Sequence, residues 1–153
     1  MEMLITVAII GGVSMIAPQV INQSTKVFIL ARTKMQLQRE ARAAMYLLTR
    51  EIRQAQSNSI IIDQANGQPY YSRISFTKAQ NVNVIVTQNG TQLLLTEGNT
   101  TTTLTSNLAY LAFTFPESDD LTIISVSMTL QEQIYGGTFK ALHMASERVR
   151  VMD

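Results

Sequence analysis

The spacing of hydrophobic positions changes along this chain, and each change predicts a different element. Residues 3–25 form a run of 23 without a charge, mostly Ile, Val, Met, Leu and Ala, apolar on every side of a helix to about Ile21. About 20 apolar helical residues cross a hydrocarbon core, so this stretch has membrane length. The pattern is mixed from there to about Met35. Beyond it, Leu37, Ala41, Ala44, Leu48, Ile52 and Ala55 recur at steps of three and four, which makes one apolar stripe. Arg39, Arg42, Tyr46, Arg50 and Arg53 project elsewhere. Neither Gly nor Pro occurs between Gln19 and Asn66. The expectation is a continuous helical rod over residues 1–57, roughly 85 Å long at 1.5 Å per residue, whose one-sided half packs on a sheet.

Ser57-Asn58-Ser59 ends the rod, and the period then becomes two. Ile60-Ile61-Ile62 reads as a short buried strand, Asn66-Gly67 as a turn, and Tyr70, Ile74 and Phe76 as one face of the next strand. Residues 82–87 and 92–96 flank Gln88-Asn89-Gly90-Thr91, a hairpin signal with an Asn-Gly centre. Residues 101–105 read as a polar edge strand and 110–115 as another strand. Over 121–130, Thr122, Ile124, Val126, Met128 and Leu130 alternate with Ile123, Ser125, Ser127 and Thr129. A last strand over 141–152 follows the Gly136-Gly137 break. The predicted class is α+β: a long N-terminal helix, apolar in its first half and amphipathic in its second, packed on a meandering antiparallel β-sheet domain. Residues 1–57 form the spine, with 1–25 as its membrane or filament-core segment, and 58–153 the sheet domain. At 153 residues the chain suffices for this rod and one globular core.

Charge sharpens the division. The formal net charge is +1, yet residues 26–53 carry seven basic against two acidic side chains, and residues 54–153 carry five against eight. A basic excess beside an apolar span suits anionic headgroups or acidic neighbours along a filament. With the whole chain near neutral and no recognised nucleic-acid motif, nucleic acid is not an expected partner. The absence of cysteine excludes a disulfide framework and a thiolate metal site.

The apolar segment carries one charge, Glu2. A secretory signal calls for a basic start and a small-residue cleavage site, whereas here a carboxylate stands near the front and Ala17-Pro18 is a poor processing site. A simple one-pass anchor leaves Glu2 unexplained, because a carboxylate at the edge of a membrane segment requires a partner. Glu2-Met3-Leu4-Ile5-Thr6-Val7-Ala8-Ile9-Ile10-Gly11 resembles the N-terminal signature of type IV pilins and of the pseudopilins of type II secretion. In that family the Glu pairs with the N-terminal ammonium of a neighbouring subunit, and the resemblance gives this role to Glu2. It also implies a leader ending in Gly and three further mature residues ahead of Glu2, so that the natural chain starts earlier. Residues 47–55, Leu-Leu-Thr-Arg-Glu-Ile-Arg-Gln-Ala, and the closing Arg148-Val149-Arg150-Val151-Met152 are similar to the J-type minor pseudopilins and W-type minor pilins. Gly11, Gly12 and Pro18 mark the weakest part of the rod, since Gly costs about 1 and Pro about 3 kcal/mol in a helix interior. A mild kink there is one expectation; the resemblance implies local extension on filament assembly.

The remaining chemistry is sparse. His143 is the sole histidine and lies in a strand pattern without a cysteine or convergent motif beside it, which favours a structural role over catalysis. Glu117, Asp119 and Asp120 after Pro116 form a candidate Ca²⁺ loop, set against a solvated acidic turn. No other cofactor is expected. Asn89-Gly90-Thr91 and Asn99-Thr100-Thr101 match glycan acceptor patterns, and Tyr70-Tyr71 reads as half-buried strand aromatics or a surface contact. The expectation is a non-enzymatic structural subunit of a type IV pilus-like or pseudopilus filament. It would sit in the inner membrane before assembly, then in an extracellular or periplasmic filament with copies of itself or related pilin-like subunits. Assembly would bury Ile5, Val7, Ile9, Ile10 and Met15, with Glu2 setting register. The competing class is a single-pass, membrane-anchored binding module that forms no filament.

Overall fold

The computed structural model describes every residue except Met1, Ser118, Tyr135, Thr138 and Asp153, and also excludes the side chains of Glu2, Leu4, Ala8, Ile9, Val13, Met15 and Phe139. The fold is α+β, a long N-terminal helix followed by eight antiparallel strands. Helix α1 spans Glu2–Arg53 without interruption, through Gly11, Gly12 and Pro18. Its 52 residues extend about 78 Å at 1.5 Å per residue. The predicted stripe is what the sheets cover: Leu37, Ala41, Leu48 and Ile52 are wholly buried, and Ala44 and Ala55 nearly so. Toward the N-terminus the first buried described residue is Thr33, so roughly 30 residues, about 45 Å of helix, project beyond the sheets.

The helix stops four residues short of the expected Ser57 because the chain there joins the sheet. Ala55 forms an isolated bridge with Lys78, and the Gln56 N–H donates to the Thr77 carbonyl at 2.9 Å. A short 3-10 turn, Ser57–Ser59, follows, and the Thr77 N–H donates to Ser59 Oγ at 2.9 Å.

The strands form two meanders, where one sheet was expected. Strands β1 (Ile61–Asp63), β2 (Arg73–Thr77), β3 (Asn83–Asn89), β4 (Gln92–Glu97) and β5 (Thr100–Thr105) pair in chain order. Strands β6 (Leu108–Thr114), β7 (Ile123–Ile134) and β8 (Phe139–Arg150) make the second sheet. The break falls at Ser106-Asn107, where Leu108 N–H turns to the Thr91 carbonyl at 2.8 Å and Asn107 carbonyl receives the Gln131 N–H at 2.7 Å. The sheets share one core with α1, which includes Phe76, Val84, Val86 and Leu93 from the first and Phe113, Ile124, Val126, Met128 and Leu130 from the second. Alternation over β7 is as the sequence predicts, with the Ile124 face buried.

Three local expectations are corrected. Both tight hairpins centre on a glycine in the first loop position, Gly90-Thr91 and Gly98-Asn99, with φ of +60° and +57°, so Asn89 pairs within β3 rather than forming the turn centre. Glycine tolerates this left-handed position and matches the twist of the strands. The strand at Ile60-Ile61-Ile62 is instead β1 at a sheet edge, with Ile61 exposed. Tyr70 shares no face with Ile74 and Phe76, because Tyr70 and Tyr71 lie in the turn ahead of β2; Tyr71 has φ +65° and Ser72 Oγ accepts the Ala65 N–H at 3.1 Å.

Polar contacts fasten the helix at both ends of its packed half. Glu40 Oε2 accepts from Asn107 Nδ2 at 3.0 Å and Thr105 Oγ1 at 3.3 Å, beside the break between sheets. At the far end, buried Glu51 pairs with Arg50 at 2.8 Å and Lys78 at 2.5 Å, and Lys78 also meets Glu97 at 2.5 Å. Burial alone would raise the Glu51 carboxyl, but the bonds from Lys78 and Arg50 outweigh it and hold the group below its usual 4.5. Its stabilising contribution is therefore present above about pH 4.5 and is lost as pH falls through the lower folded value. Lys78→Met leaves a buried carboxylate short of a partner, with an expected loss of about 3 kcal/mol near pH 7. In urea titrations the gap from wild type should narrow below pH 4.5 as Glu51 protonates. An equal gap at pH 7 and pH 3 would contradict this role.

Candidate functional site

An unburied apolar helix is the most unusual surface of the molecule. Met3, Ile5, Val7, Ile10, Ile16, Val20 and Ile21 are all more than half exposed, with Met3 at 86%. Apolar surface so continuous marks a protein or membrane contact rather than a water-facing element. The segment is long and apolar enough to cross a membrane, and none of its most apolar 18-residue window is buried against the rest of the chain. In hydrocarbon every backbone N–H and C=O must find a partner within the segment, a condition that a continuous helix meets. Pro18 cannot donate to the carbonyl one turn earlier. Nearby, the Thr25 hydroxyl donates to the Ile21 carbonyl at 2.9 Å.

Of the residues assigned to assembly, Ile5, Val7 and Ile10 present exposed side chains on this helix. The side chains of Glu2, Ile9 and Met15 lie outside the described residues, although their backbone is helical. Gly11 and Gly12 face open space, where an added Cβ meets no neighbour within 4 Å. Neither glycine is required by packing within one copy, which leaves close approach by another helix open to both.

The other candidates disperse over the sheets. Glu117 and Asp119 are exposed, while Asp120 is engaged locally: its Oδ1 accepts the Thr122 N–H at 2.9 Å and the Thr122 hydroxyl, and Oδ2 pairs with Arg150 at 3.2 Å. The Thr122 bonds, with a smaller share from Arg150, hold Asp120 below the usual carboxylate range. Among the described residues no three His, Cys, Asp or Glu side chains group to hold a metal. Two glycan patterns fall at hairpin tips with Asn89 and Asn99 exposed. Tyr70 and Tyr71 are exposed, their ring centroids 6.5 Å apart at 53°.

His143 is half-buried on β8 and lines a groove of about 750 Å³ between α1 and that strand. Arg42, Tyr46, Arg50, Arg53 and Glu147 share the groove. β8 lies at the edge of its sheet, so its outer backbone has no strand partner among the described residues. Sequence reasoning did not foresee this groove, because the pairing order that leaves β8 at an edge is not encoded in local periodicity.

Comparisons with protein-family models, curated proteins and solved structures found no match to this chain.

The membrane-length segment gives a direct prediction. Ile10→Arg places a cation near the middle of the apolar run at a cost of about 2.5–3.5 kcal/mol for insertion. It should increase the fraction released from membranes by alkaline carbonate while leaving the urea midpoint of the packed half unchanged. Unaltered membrane retention would contradict insertion of this helix.

Proposed function

We propose that the chain is a structural subunit of a type IV pilus-like or pseudopilus filament, held in the inner membrane by α1 before assembly and bundled through the same helix afterwards. The observation that carries this reading is continuity. One unbroken helix is apolar and uncovered over its first half and forms the packed spine of an α+β head over its second. A membrane anchor alone requires only the first half. A shared spine also transmits the position of each bundled helix to its head, which is what a filament subunit must do.

The resemblance of the N-terminal stretch to pilins and pseudopilins supplies the role of Glu2, and the exposed Ile5, Val7 and Ile10 supply apolar area for bundling. Each Å² of that area kept from water, in the membrane or in the bundle, contributes about 25 cal/mol. Gly11 and Gly12 permit neighbouring backbones to approach. On this reading the mature subunit faces copies of itself or related pilin-like subunits and performs no catalysis.

Glu2→Ala should leave the head folded and membrane insertion intact while reducing filament yield severely. Removing a charge whose partner is buried leaves that partner uncompensated, at about 3–5 kcal/mol. Electron microscopy of the variant alongside wild type measures the effect; filaments in normal yield would overturn the assignment of Glu2.

A further inference from the structure

The outward face of α1 carries a second pattern. Phe28, Arg32, Met35, Arg39, Arg42 and Tyr46 recur at steps of three and four, and all are exposed. At about 100° per residue this stripe lies opposite the buried Leu37, Ala41, Ala44 and Leu48. It holds three guanidinium groups, no ammonium and no acid, and Arg32, Arg39 and Arg42 make no ion pair among the described residues. Phe28 and Tyr46 are each 67% exposed and Met35 54%. Arginine with Tyr, Phe and Met is the composition of an interface core, and guanidinium groups take carboxylates in paired hydrogen bonds.

The chain itself carries the matching charge. Its net charge is +1 despite the basic helix, because residues 54–153 have eight acidic and five basic side chains. Several of those acids are satisfied at home: Asp63 by Arg73, Glu97 by Lys78, and Asp120 by Arg150. Glu117 and Asp119, exposed in the connection from β6 to β7, have no ion pair among the described residues; nor do half-buried Glu132 and exposed Glu147, but those two lie on paired strands, whereas Glu117 and Asp119 stand together on a loop.

Position decides how the two charges meet. The Val151 N–H donates to the Thr122 carbonyl at 2.8 Å and the Met152 N–H to the Arg53 carbonyl at 3.1 Å, so the connection from β6 enters β7, at Thr122, by the C-terminal end of α1. Arg42 is 11 residues back along the helix from Arg53, about 16 Å, and Arg39 and Arg32 are farther. On one copy Arg42 shares its groove with Glu147, whereas Arg32 and Arg39 lie farther along the helix from the β6–β7 connection; a second copy displaced along the helix axis brings that connection to them.

We propose that the exposed stripe over residues 28–46 of α1 is the docking surface for Glu117 and Asp119 of a second copy of this chain. The contact is heterologous, with different surfaces on the two copies, and such contacts propagate into open helical assemblies. This proposal rests on the filament reading above and specifies the contact between heads that follows from it. A polyanionic partner is disfavoured by the chain's near-neutral total, since a basic stripe serving nucleic acid ordinarily accompanies a basic domain.

The test uses charge exchange in the full-length chain. Arg39→Glu with Arg42→Glu, and separately Glu117→Arg with Asp119→Arg, should each lower filament yield at least tenfold while keeping the wild-type urea midpoint. Mixing the two variants, or combining all four substitutions in one chain, should restore assembly, because each altered stripe then meets an altered acidic connection. Wild-type assembly should weaken with added NaCl, a readout that needs no variant. Normal filaments from either charge-reversed variant, or failure of the mixture to recover, would overturn this contact and leave the filament reading standing. Absence of wild-type filaments in the same preparation would overturn both. Wild-type binding to DNA or anionic phospholipid vesicles that is lost in the arginine variant, with assembly unchanged, would assign the stripe to a polyanion instead.

Discussion

Burial of one helical stripe connects everything else in this molecule. Leu37, Leu48 and Ile52 are wholly shielded, and at about 1.5–3 kcal/mol for each large aliphatic side chain these three alone contribute roughly 5–9 kcal/mol. That is comparable with the entire net stability of an ordinary domain. The sheets therefore cannot release α1 without unfolding, and the position of the head is fixed to the position of the helix. Because α1 continues unbroken past Thr33 into the uncovered apolar segment, whatever holds that segment also orients the head.

Polar interactions add location rather than bulk stability. The Glu40 contacts fix the helix beside the break between sheets, and the Arg50–Glu51–Lys78–Glu97 cluster fixes its last turns to the ends of β2 and β4. Buried ion pairs of this kind contribute little net stability relative to an apolar replacement, yet losing one partner is costly. A shifted seating of the helix would break these contacts and leave Glu51 buried without its partners. The head thus neutralises many of its own charges locally, which leaves the outward arginines of α1 as an unbalanced feature.

Much of the fold was legible because its elements have strong periods. Ile124, Val126, Met128 and Leu130 alternate in sequence and are all buried, and the helical stripe was visible from its steps of three and four. Turn chemistry was read less accurately: Asn-Gly suggested a centre at Asn89-Gly90, whereas backbone pairing moved it one residue to Gly90-Thr91. Division into two sheets was not legible, since it depends on where Leu108 and Asn107 send their backbone bonds, and those partners are far away in sequence. Tyr70 and Tyr71 looked like strand residues by propensity, but the turn before β2 places both outside. Of the candidate site, the apolar run was evident from composition, the pairing of Glu51 with Lys78 was not, and the arginines became a single surface only once the covered face was known.

The central claim is that one continuous helix serves both the membrane and a filament, and electron microscopy of the purified native material tests it most directly. Mass spectrometry of the N-terminus belongs with the images. The account predicts filaments with α1 segments bundled at the core, heads outside, and a processed, methylated residue ahead of Glu2. Detergent-solubilised monomers with an unprocessed start and no filaments under native conditions would contradict it.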